Sequence, residues 1–462
     1  MNKKLTLLIL TAASFLTPFM GSAINLAIPA IGQQFKSDVY LLSFISTSYL
    51  LASTAFLLPL GRLSDIVGKR KIFVRGIALF SFSSLLCGFG WSMQSLLAFR
   101  TIQGIASAMI FATSVSILTL VFPLEERGRV FGINSAAVYL GLSLGPVIGG
   151  SITHYLGWRY IFFLTTFISF LVFLLERKYL RKEWISAAGE HFDARGALYY
   201  LLGVSAFMYG ASSLARWSGA VYVFVLGLSM MIYFVYHELK EETPLIHLKL
   251  FRRNITFAFS SLAALISYSA TAAVAFLLSL HLQVVRGLDA QTAGMVLLCQ
   301  PVLQALFSPF AGRLSDRVEP RIVASLGMLI TTVGLFFFSF LTAETPGWLL
   351  LLNFALLGIG FAFFASPNNN AIMSSVEKKE YGVASAVLGT MRLLGQSLSM
   401  ALMTFITTLY LGTVTITPAY SDLLVKSTRV SFAVFTLICF GGIFASLARG
   451  KLGRAEEAGD QQ

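Results

Sequence analysis

The most constraining feature of this 462-residue sequence is a succession of long apolar blocks separated by short charged breaks. A helix that crosses a bilayer needs about 20 mostly apolar residues, and lipid leaves backbone polar groups without partners outside a helix or a closed barrel. The chain is 56% hydrophobic and only 12% charged, so a water-soluble fold would expose large apolar patches. The sequence therefore predicts an all-α polytopic membrane protein with about fourteen transmembrane helices.

Two short charged segments between apolar blocks carry the same five-residue sequence, Gly-Arg-Leu-Ser-Asp. We call them hinge 1 (residues 61–71) and hinge 2 (residues 312–317). Repetition at equivalent places between spans indicates an internal duplication, as in many secondary transporters. Hinge 1 follows the second predicted span, whereas hinge 2 follows the tenth. We therefore predict two six-helix bundles with two helices inserted between them.

The duplication predicts four parts of the chain. They are a first six-helix bundle at residues 1–176, an inserted two-helix hairpin with cytoplasmic connectors at 177–254, a second six-helix bundle at 255–448 and a cytoplasmic tail at 449–462. The net charge of +13 comes mostly from Lys and Arg in alternate loops, which predicts that both termini are cytoplasmic. No basic segment interleaved with aromatic residues lies outside the spans, so we expect no nucleic acid partner.

The sequence offers no motif for a cofactor, a metal ion or ATP. The three cysteines lie inside apolar runs, and no zinc-ligand spacing occurs. No glycine-rich loop ends in the Lys-Ser or Lys-Thr that ATP hydrolysis needs. The predicted spans also contain no cluster of His, Asp or Glu near the middle of the membrane, which disfavours an intramembrane enzyme. A transporter is the main hypothesis, and a non-transporting membrane receptor on the same fold is an alternative.

Two arginines lie inside predicted spans, where a guanidinium costs about 2.5–3.5 kcal/mol on insertion scales. Arg100 and Gln103 are three residues apart and share a helix face, and Arg392 lies beside several glycines in the thirteenth span. Such side chains usually face a bundle interior or a wet cavity, so we predict all three as substrate or coupling residues. The alternative is a structural tie to carbonyls of a neighbouring helix.

Amide side chains next to prolines form a second group of candidates. The prolines predict helix breaks, and a broken membrane helix offers backbone groups to a ligand. Alternatively, each amide could stabilise the fold through a hydrogen bond to a neighbouring helix. The predicted substrate residues of this group are Asn25, Gln300 and Asn368.

Two further patterns predict parts that move. Span five carries glycines four residues apart around a proline, and such a stripe lets another helix approach closely. The predicted gating residues of this stripe are Gly145, Pro146 and Gly149. In the hinges an aspartate can cap a helix or pair with a nearby arginine, and this contact could hold the inner ends of the bundles together. The predicted gating residues of the hinges are Gly61, Asp65, Arg70, Asp316 and Arg317. Ordinary packing and loop solvation are the alternatives.

No aspartate or glutamate lies well inside any predicted span. A proton-coupled carrier usually needs a buried titratable group. An interior with two arginines and no carboxylate favours neutral or anionic cargo over organic cations, although aromatic-lined sites also bind cations.

These motifs resemble the major facilitator superfamily, and within it the fourteen-span drug:proton antiporter group. Hinge 1 is similar to the signature loop between spans two and three, with Ile66 where a basic residue is usual. Residues 100–104 resemble the motif that carries the span-four arginine implicated in coupling, and residues 141–150 resemble the antiporter motif of span five. Residues 158–159 and 391–395 also match the group. The resemblance implies a protein of the cytoplasmic membrane of a prokaryote that exports amphipathic small molecules by alternating access, in exchange for protons. We expect it to be a monomer.

One position departs from the group. Its first span usually has an acidic residue nine positions before a proline that corresponds to Pro29, and here that position is Met20. An exporter or importer of a specific neutral or anionic metabolite, without ordinary proton coupling, is therefore an alternative.

Overall fold

The computed structural model describes residues 3–246, 248–376, 381–412, 414 and 417–450, which are almost entirely helical. The helices of the first half are α1 (Lys3–Phe35), α2 (Val39–Val67), α3 (Lys69–Gly88), α4 (Met93–Val121), α5 (Leu124–Tyr155) and α6 (Arg159–Tyr179). The middle of the chain forms α7 (Ala194–Ser213), α8 (Ala220–Lys240) and the short α9 (Lys249–Arg253). The second half forms α10 (Ile255–Thr271), α11 (Val274–Leu280), α12 (Ala290–Arg317), α13 (Pro320–Phe338), α14 (Gly347–Ser374), α15 (Tyr381–Leu411) and α16 (Ser421–Leu447). Residues 451–462 of the predicted tail lie outside the described residues.

Thirteen stretches of the described residues are long and apolar enough to cross a membrane. Helices α10 and α11 count as one of them, because they continue through a π-helical turn to Val285. Helix α7 has 20 residues and packs along α8 as the other arm of a hairpin. Thirteen spans together with α7 agree with the prediction of about fourteen, and the predicted all-α membrane fold is confirmed.

The helices form two six-helix bundles with a hairpin on one side. Helices α1–α6 pack among themselves, as do α10–α16, and the bundles meet along α5 with α12 and along α2 with α15. The α7–α8 hairpin packs against that second seam. The Tyr200 hydroxyl donates to the Thr54 carbonyl at 3.1 Å, and the Tyr40 and Ser213 hydroxyls lie 2.7 Å apart. The inserted hairpin is therefore fixed along the length of α2.

The bundles touch on one side of the molecule and part on the other. We call the side with the two hinges the hinge side and the opposite one the far side. Towards the far side, Ser279 Oγ donates to the Asn25 carbonyl at 2.7 Å, and Thr404 Oγ1 donates to Ser43 Oγ at 2.8 Å. Next to this closure Asp289 caps α12, and hydrogen bonds from Thr292 hold the pKa of the Asp289 carboxyl below its usual range.

The hinges are helical rather than loops, contrary to the sequence interpretation. Helix α2 continues through hinge 1 to Val67, and only Gly68, with φ of 124°, separates it from α3. Helix α12 likewise continues through hinge 2. The polar hinge sequence suits a helix that extends beyond the apolar layer, because its side chains can be solvated there.

The predicted breaks at prolines are wrong. Helix α1 runs unbroken through Pro29, and α12 and α14 do the same through Pro301 and Pro367. A proline inside a helix frees the carbonyl four residues earlier, which for Pro29 is Asn25, and the Ser279 hydroxyl occupies that carbonyl. A neighbouring helix therefore supplies the missing donor and lets the helix continue.

Candidate substrate cavity

A large cavity lies between the bundles and opens towards the hinge side. Its volume is about 760 Å³, within the range of about 300–1,000 Å³ typical of small-molecule sites. The lining runs from Asn25 and Arg100 at the closed end, past Arg392, to Gly61 and Asp65 at the hinge side. The arrangement is that of a binding site with access from one side of the molecule.

Arg100 is held rigidly at the closed end of the cavity. The residue is 0% exposed, Nε donates to the Ile45 carbonyl at 3.0 Å, and Nη1 donates to Gln103 Oε1 at 2.6 Å. The guanidinium also lies 4.4 Å from the centre of the Tyr49 ring. Nη2 has no hydrogen-bond partner among the described residues. The side chain is thus both a structural tie and a donor left free for an acceptor.

Gln103 lies behind Arg100 and is absent from the cavity lining. Its Nε2 donates to Ser84 Oγ at 2.6 Å, so the side chain joins α3 to the guanidinium. Gly104 lets α4 approach α2, because a Cβ there would meet the Tyr49 carbonyl. The predicted shared face of Arg100 and Gln103 is present, and the geometry gives Gln103 the role of positioning Arg100.

Arg392 has a looser environment in the middle of the cavity. It is half-buried, and its guanidinium lies 5.5 Å from the centre of the Tyr268 ring. Tyr139 and Gln300 also line this part of the cavity. The charged lining residues of this deeper part, within the described chain, are two arginines and no carboxylate.

The three predicted amides have different surroundings. Asn25 and Gln300 line the cavity, and Asn25 Oδ1 accepts from Ser46 Oγ at 3.3 Å. Asn368 is 1% exposed and is not part of the lining, whereas the adjacent Asn369 is. A substrate contact therefore stays a prediction for all three, with Asn25 and Gln300 in reach of the cavity.

The glycine stripe of α5 serves two different contacts. A Cβ at Gly145 or Gly149 would collide with Ser22 or Ala23 of α1, so these glycines close α5 onto its own bundle. Pro146 instead faces the other bundle, where its carbonyl is in contact with Gly294 of α12. The predicted glycine stripe is therefore a packing face within the first bundle, and a gating role for Gly145, Pro146 and Gly149 stays a prediction.

Hinge 1 is tied to the segment that follows α6. The carbonyl of Asp65 accepts from the amides of Ser186 and Ala187, each at 3.0 Å, and the Asp65 carboxylate pairs with Lys69. Arg70 Nε lies 3.2 Å from the buried carboxylate of Glu176. Each of these contacts stays within the first bundle or its connector, while the hinge-side ends of the bundles are apart.

Hinge 2 has fewer such ties among the described residues. Arg317 is exposed, and the side chain of Asp316 lies outside the described part of the chain. Asn370 Nδ2 donates to Ser315 Oγ at 3.2 Å, which joins α12 to α14. The proposed contact between the two hinges therefore stays a prediction for a state in which these ends meet.

Sequence reasoning missed the aromatic lining of the cavity. Tyr49, Tyr139 and Tyr268 all face it, and each lies well inside a predicted span rather than at the membrane interface, where tyrosine is usually enriched. That displacement from the interface is the signal that could have identified them.

The geometry defines the class of protein: two duplicated helical bundles that enclose a cavity open to one side. Residues 10–246 and 260–460 match the family model of the Major Facilitator Superfamily. The chain therefore belongs to the Major Facilitator Superfamily.

Relatives of known description are transporters rather than enzymes. The riboflavin transporter RibZ of Clostridioides difficile is 28% identical over 449 residues, which cover 96% of this chain and 97% of that protein. The multidrug resistance protein Stp of Mycobacterium tuberculosis is 27% identical, over 87% of this chain and 76% of that protein. A crystal structure of a bacterial homologue of the human lysosomal transporter Spinster superimposes with a TM-score of 0.67 at 16% identity, covering 97% of both chains. The chain is thus a multi-pass transporter of a small molecule, and its relatives include drug exporters.

Proposed function

We propose that this protein exports neutral or anionic amphipathic small molecules across a bacterial cytoplasmic membrane by alternating access. The observation that carries the proposal is the free Nη2 of Arg100 at the closed end of the cavity. A buried guanidinium nitrogen without an acceptor is costly, and an anionic or carbonyl group of the cargo would supply one. A cation would meet two arginines there without a nearby carboxylate.

Alternating access is supported by the unequal contacts at the two ends. The far side is joined by hydrogen bonds between the bundles, whereas the hinge side is open to the cavity. The excess of Lys and Arg in the loops of the hinge side supports a cytoplasmic position for that side. We propose that the bundles, divided as the sequence predicts, rock until the hinge-side ends meet, and that Asp65, Asp316 and Arg317 contribute to that closure.

A flat heteroaromatic cargo such as riboflavin is the second candidate. The relative RibZ is a riboflavin transporter that aligns with nearly the whole chain, and tyrosines 49, 139 and 268 line the cavity between the two arginines. Aromatic rings stack on flat ligands, and guanidinium groups donate to their carbonyls. Under this second candidate function, the protein is either an importer or an exporter.

Flux in proteoliposomes tests these proposals. Purified protein is reconstituted as a monomer, and uptake of riboflavin, an anionic amphipathic dye and a cationic dye is followed with and without a pH gradient. The main proposal expects transport of the anionic dye above that of the cationic dye. Faster transport of the cationic dye would contradict the main proposal. A flux that is the same with and without the pH gradient would argue against proton coupling.

A non-transporting receptor would bind these compounds in the same preparation without any flux.

A further inference from the structure

Three ionisable side chains converge at the hinge-side end of the inserted hairpin, outside the substrate cavity. His237 Nε2 lies 2.9 Å from Asp193 Oδ2 and 3.6 Å from Glu241 Oε2. One oxygen or nitrogen of each residue lies within 4.8 Å of those of the other two. We propose that Asp193, His237 and Glu241 bind a divalent transition-metal ion of the Zn²⁺ class.

The local structure presents these groups in a suitable way. His237 and Glu241 are four residues apart at the end of α8 and so share a face. Asp193 caps α7 with Oδ1, which accepts from the Gly196 amide at 2.9 Å, and this leaves Oδ2 for a second partner. Imidazole nitrogen and carboxylate oxygen bind Zn²⁺ at about 2.0–2.2 Å, which places neighbouring ligand atoms of a tetrahedron about 3–3.5 Å apart. The two separations from His237, 2.9 and 3.6 Å, are close to that spacing, and the Asp193 and Glu241 oxygens lie within 4.8 Å of each other.

A fourth side chain points to a missing cation. Glu238 is 3% exposed, and its Oε2 accepts from the Ile246 amide at 3.0 Å. Its Oε1 has no hydrogen-bond partner among the described residues. This oxygen and Asp193 Oδ2 border the same space, which is open because Gly196 has no Cβ. An unpaired buried carboxylate oxygen is unfavourable, and a metal ion beside Asp193 would neutralise it.

The charge around the cluster is not balanced by protein groups. In the described chain no Lys or Arg nitrogen lies within 4 Å of a carboxylate oxygen of Asp193, Glu238 or Glu241. Among the described residues, the basic side chain within that distance of Asp193 and Glu241 is His237, through Nε2. A protonated His237 paired with the carboxylates is the competing explanation, and it leaves two negative charges. A divalent metal ion with neutral His237 as a ligand leaves one negative charge instead of two.

The site would connect the hairpin to the opening of the substrate cavity. Glu238 holds Ile246, which lines that opening together with Pro244 and Leu245. Metal binding would fix the hinge-side ends of α7 and α8 to this segment.

Cobalt titration of the full-length protein in detergent tests the site. The affinity tag is removed, the protein is treated with a chelator and dialysed, and Co²⁺ is added while visible d–d absorption and bound metal are measured. We expect one Co²⁺ per chain for the wild type and no binding for His237→Ala. Binding should be at least tenfold weaker for Glu241→Gln, because loss of a partner that only orients a ligand already costs about 10–100-fold. Zn²⁺ should displace Co²⁺ and raise the Tm of the wild type.

His154→Ala is the matched control, because His154 Nδ1 also lies near a carboxylate, 3.7 Å from Asp289 Oδ1, but on the far side. The control should bind Co²⁺ as the wild type does. Wild-type binding no greater than that of His237→Ala would overturn the proposal, as would an equal loss in His154→Ala. If His237→Ala does not fold, the half-exposed Glu241→Gln decides: weaker binding supports the site and unchanged binding rejects it.

Discussion

The two copies of the repeated hinge have the same local fold but different partners. In both, the serine hydroxyl donates to the carbonyl of the glycine three residues earlier at 2.7 Å. In the first copy the amide of Lys69 donates to the Trp184 carbonyl at 2.9 Å. The equivalent residue of the second copy is Pro320, which has no N–H to donate. Duplication therefore preserved the helix end, while the tie to a connector exists only in the first copy.

The arginine that follows each hinge shows the same difference. Arg70 reaches Glu176, whose side chain is 0% exposed, whereas the equivalent Arg321 lies 2.5 Å from Glu319, whose side chain is 33% exposed. The first pair places a cation beside a buried carboxyl, and the second is a surface pair. The first bundle thus has an ion pair between α3 and α6 at the hinge side that the second copy replaces with a pair on the surface.

The cavity repeats this contrast between an anchored and a free group. Arg100 of the first bundle is fixed by a carbonyl, an amide and an aromatic ring. Arg392 of the second bundle is half-buried and has one aromatic contact. We infer that the first bundle supplies a preorganised donor and the second an adaptable one.

The largest expected effect comes from removing the anchored arginine. Arg100→Ala should lower transport of anionic cargo about 100-fold, because hydrogen bonds to a charged group are worth about 1.5–3 kcal/mol each and about 1.4 kcal/mol is tenfold in rate. Flux in proteoliposomes measures this loss.

Arg392→Ala should raise KM about tenfold with a smaller loss of kcat, as expected for a side chain that binds the substrate in the ground state as well as in the transition state. Equal kinetic profiles for the two variants would remove the distinction between anchored and adaptable groups.

The next effect concerns stability at the hinges. Arg70→Ala leaves Glu176 buried without its cation and should lower the free energy of unfolding by about 1–3 kcal/mol, below the roughly 3–5 kcal/mol of a fully buried pair because Arg70 is partly solvated. Arg321→Ala should cost less than about 1 kcal/mol. Thermal unfolding in detergent compares the two. A similar Tm for both variants would mean that the Glu176 contact does not distinguish the hinges.

The smallest effect is expected at the turn itself. Gly68 has φ of 124°, and a Cβ there would meet the Glu183 side chain, so Gly68→Ala should destabilise the protein by about 1 kcal/mol or more. Glu319→Ala, at the equivalent position of the second copy, should change stability by less than about 0.5–1 kcal/mol. The same unfolding assay applies, and an unchanged Tm for Gly68→Ala would show that this turn adapts without strain.

Parts of the site were predictable because they follow from helix periodicity. The three-residue spacing of Arg100 and Gln103 predicts their shared face, and the costs of burial predict that both in-span arginines face the interior. Asn368 and Asn369 show the limit: adjacent residues point about 100° apart on a helix, and the proline beside them did not reveal which one faces the cavity. Pro29 failed as a break signal because its lost hydrogen bond is replaced by a serine more than 200 residues away in the chain.

The membrane fold, its duplication and the two helices between its halves could be predicted from the amino-acid sequence, because apolar length and repetition are properties of the linear chain. The open side of the cavity, the anchoring of Arg100 and the meeting of Asp193, His237 and Glu241 were visible only in three dimensions. Those features depend on side chains from distant helices meeting at one point, and no local pattern records which helices become neighbours.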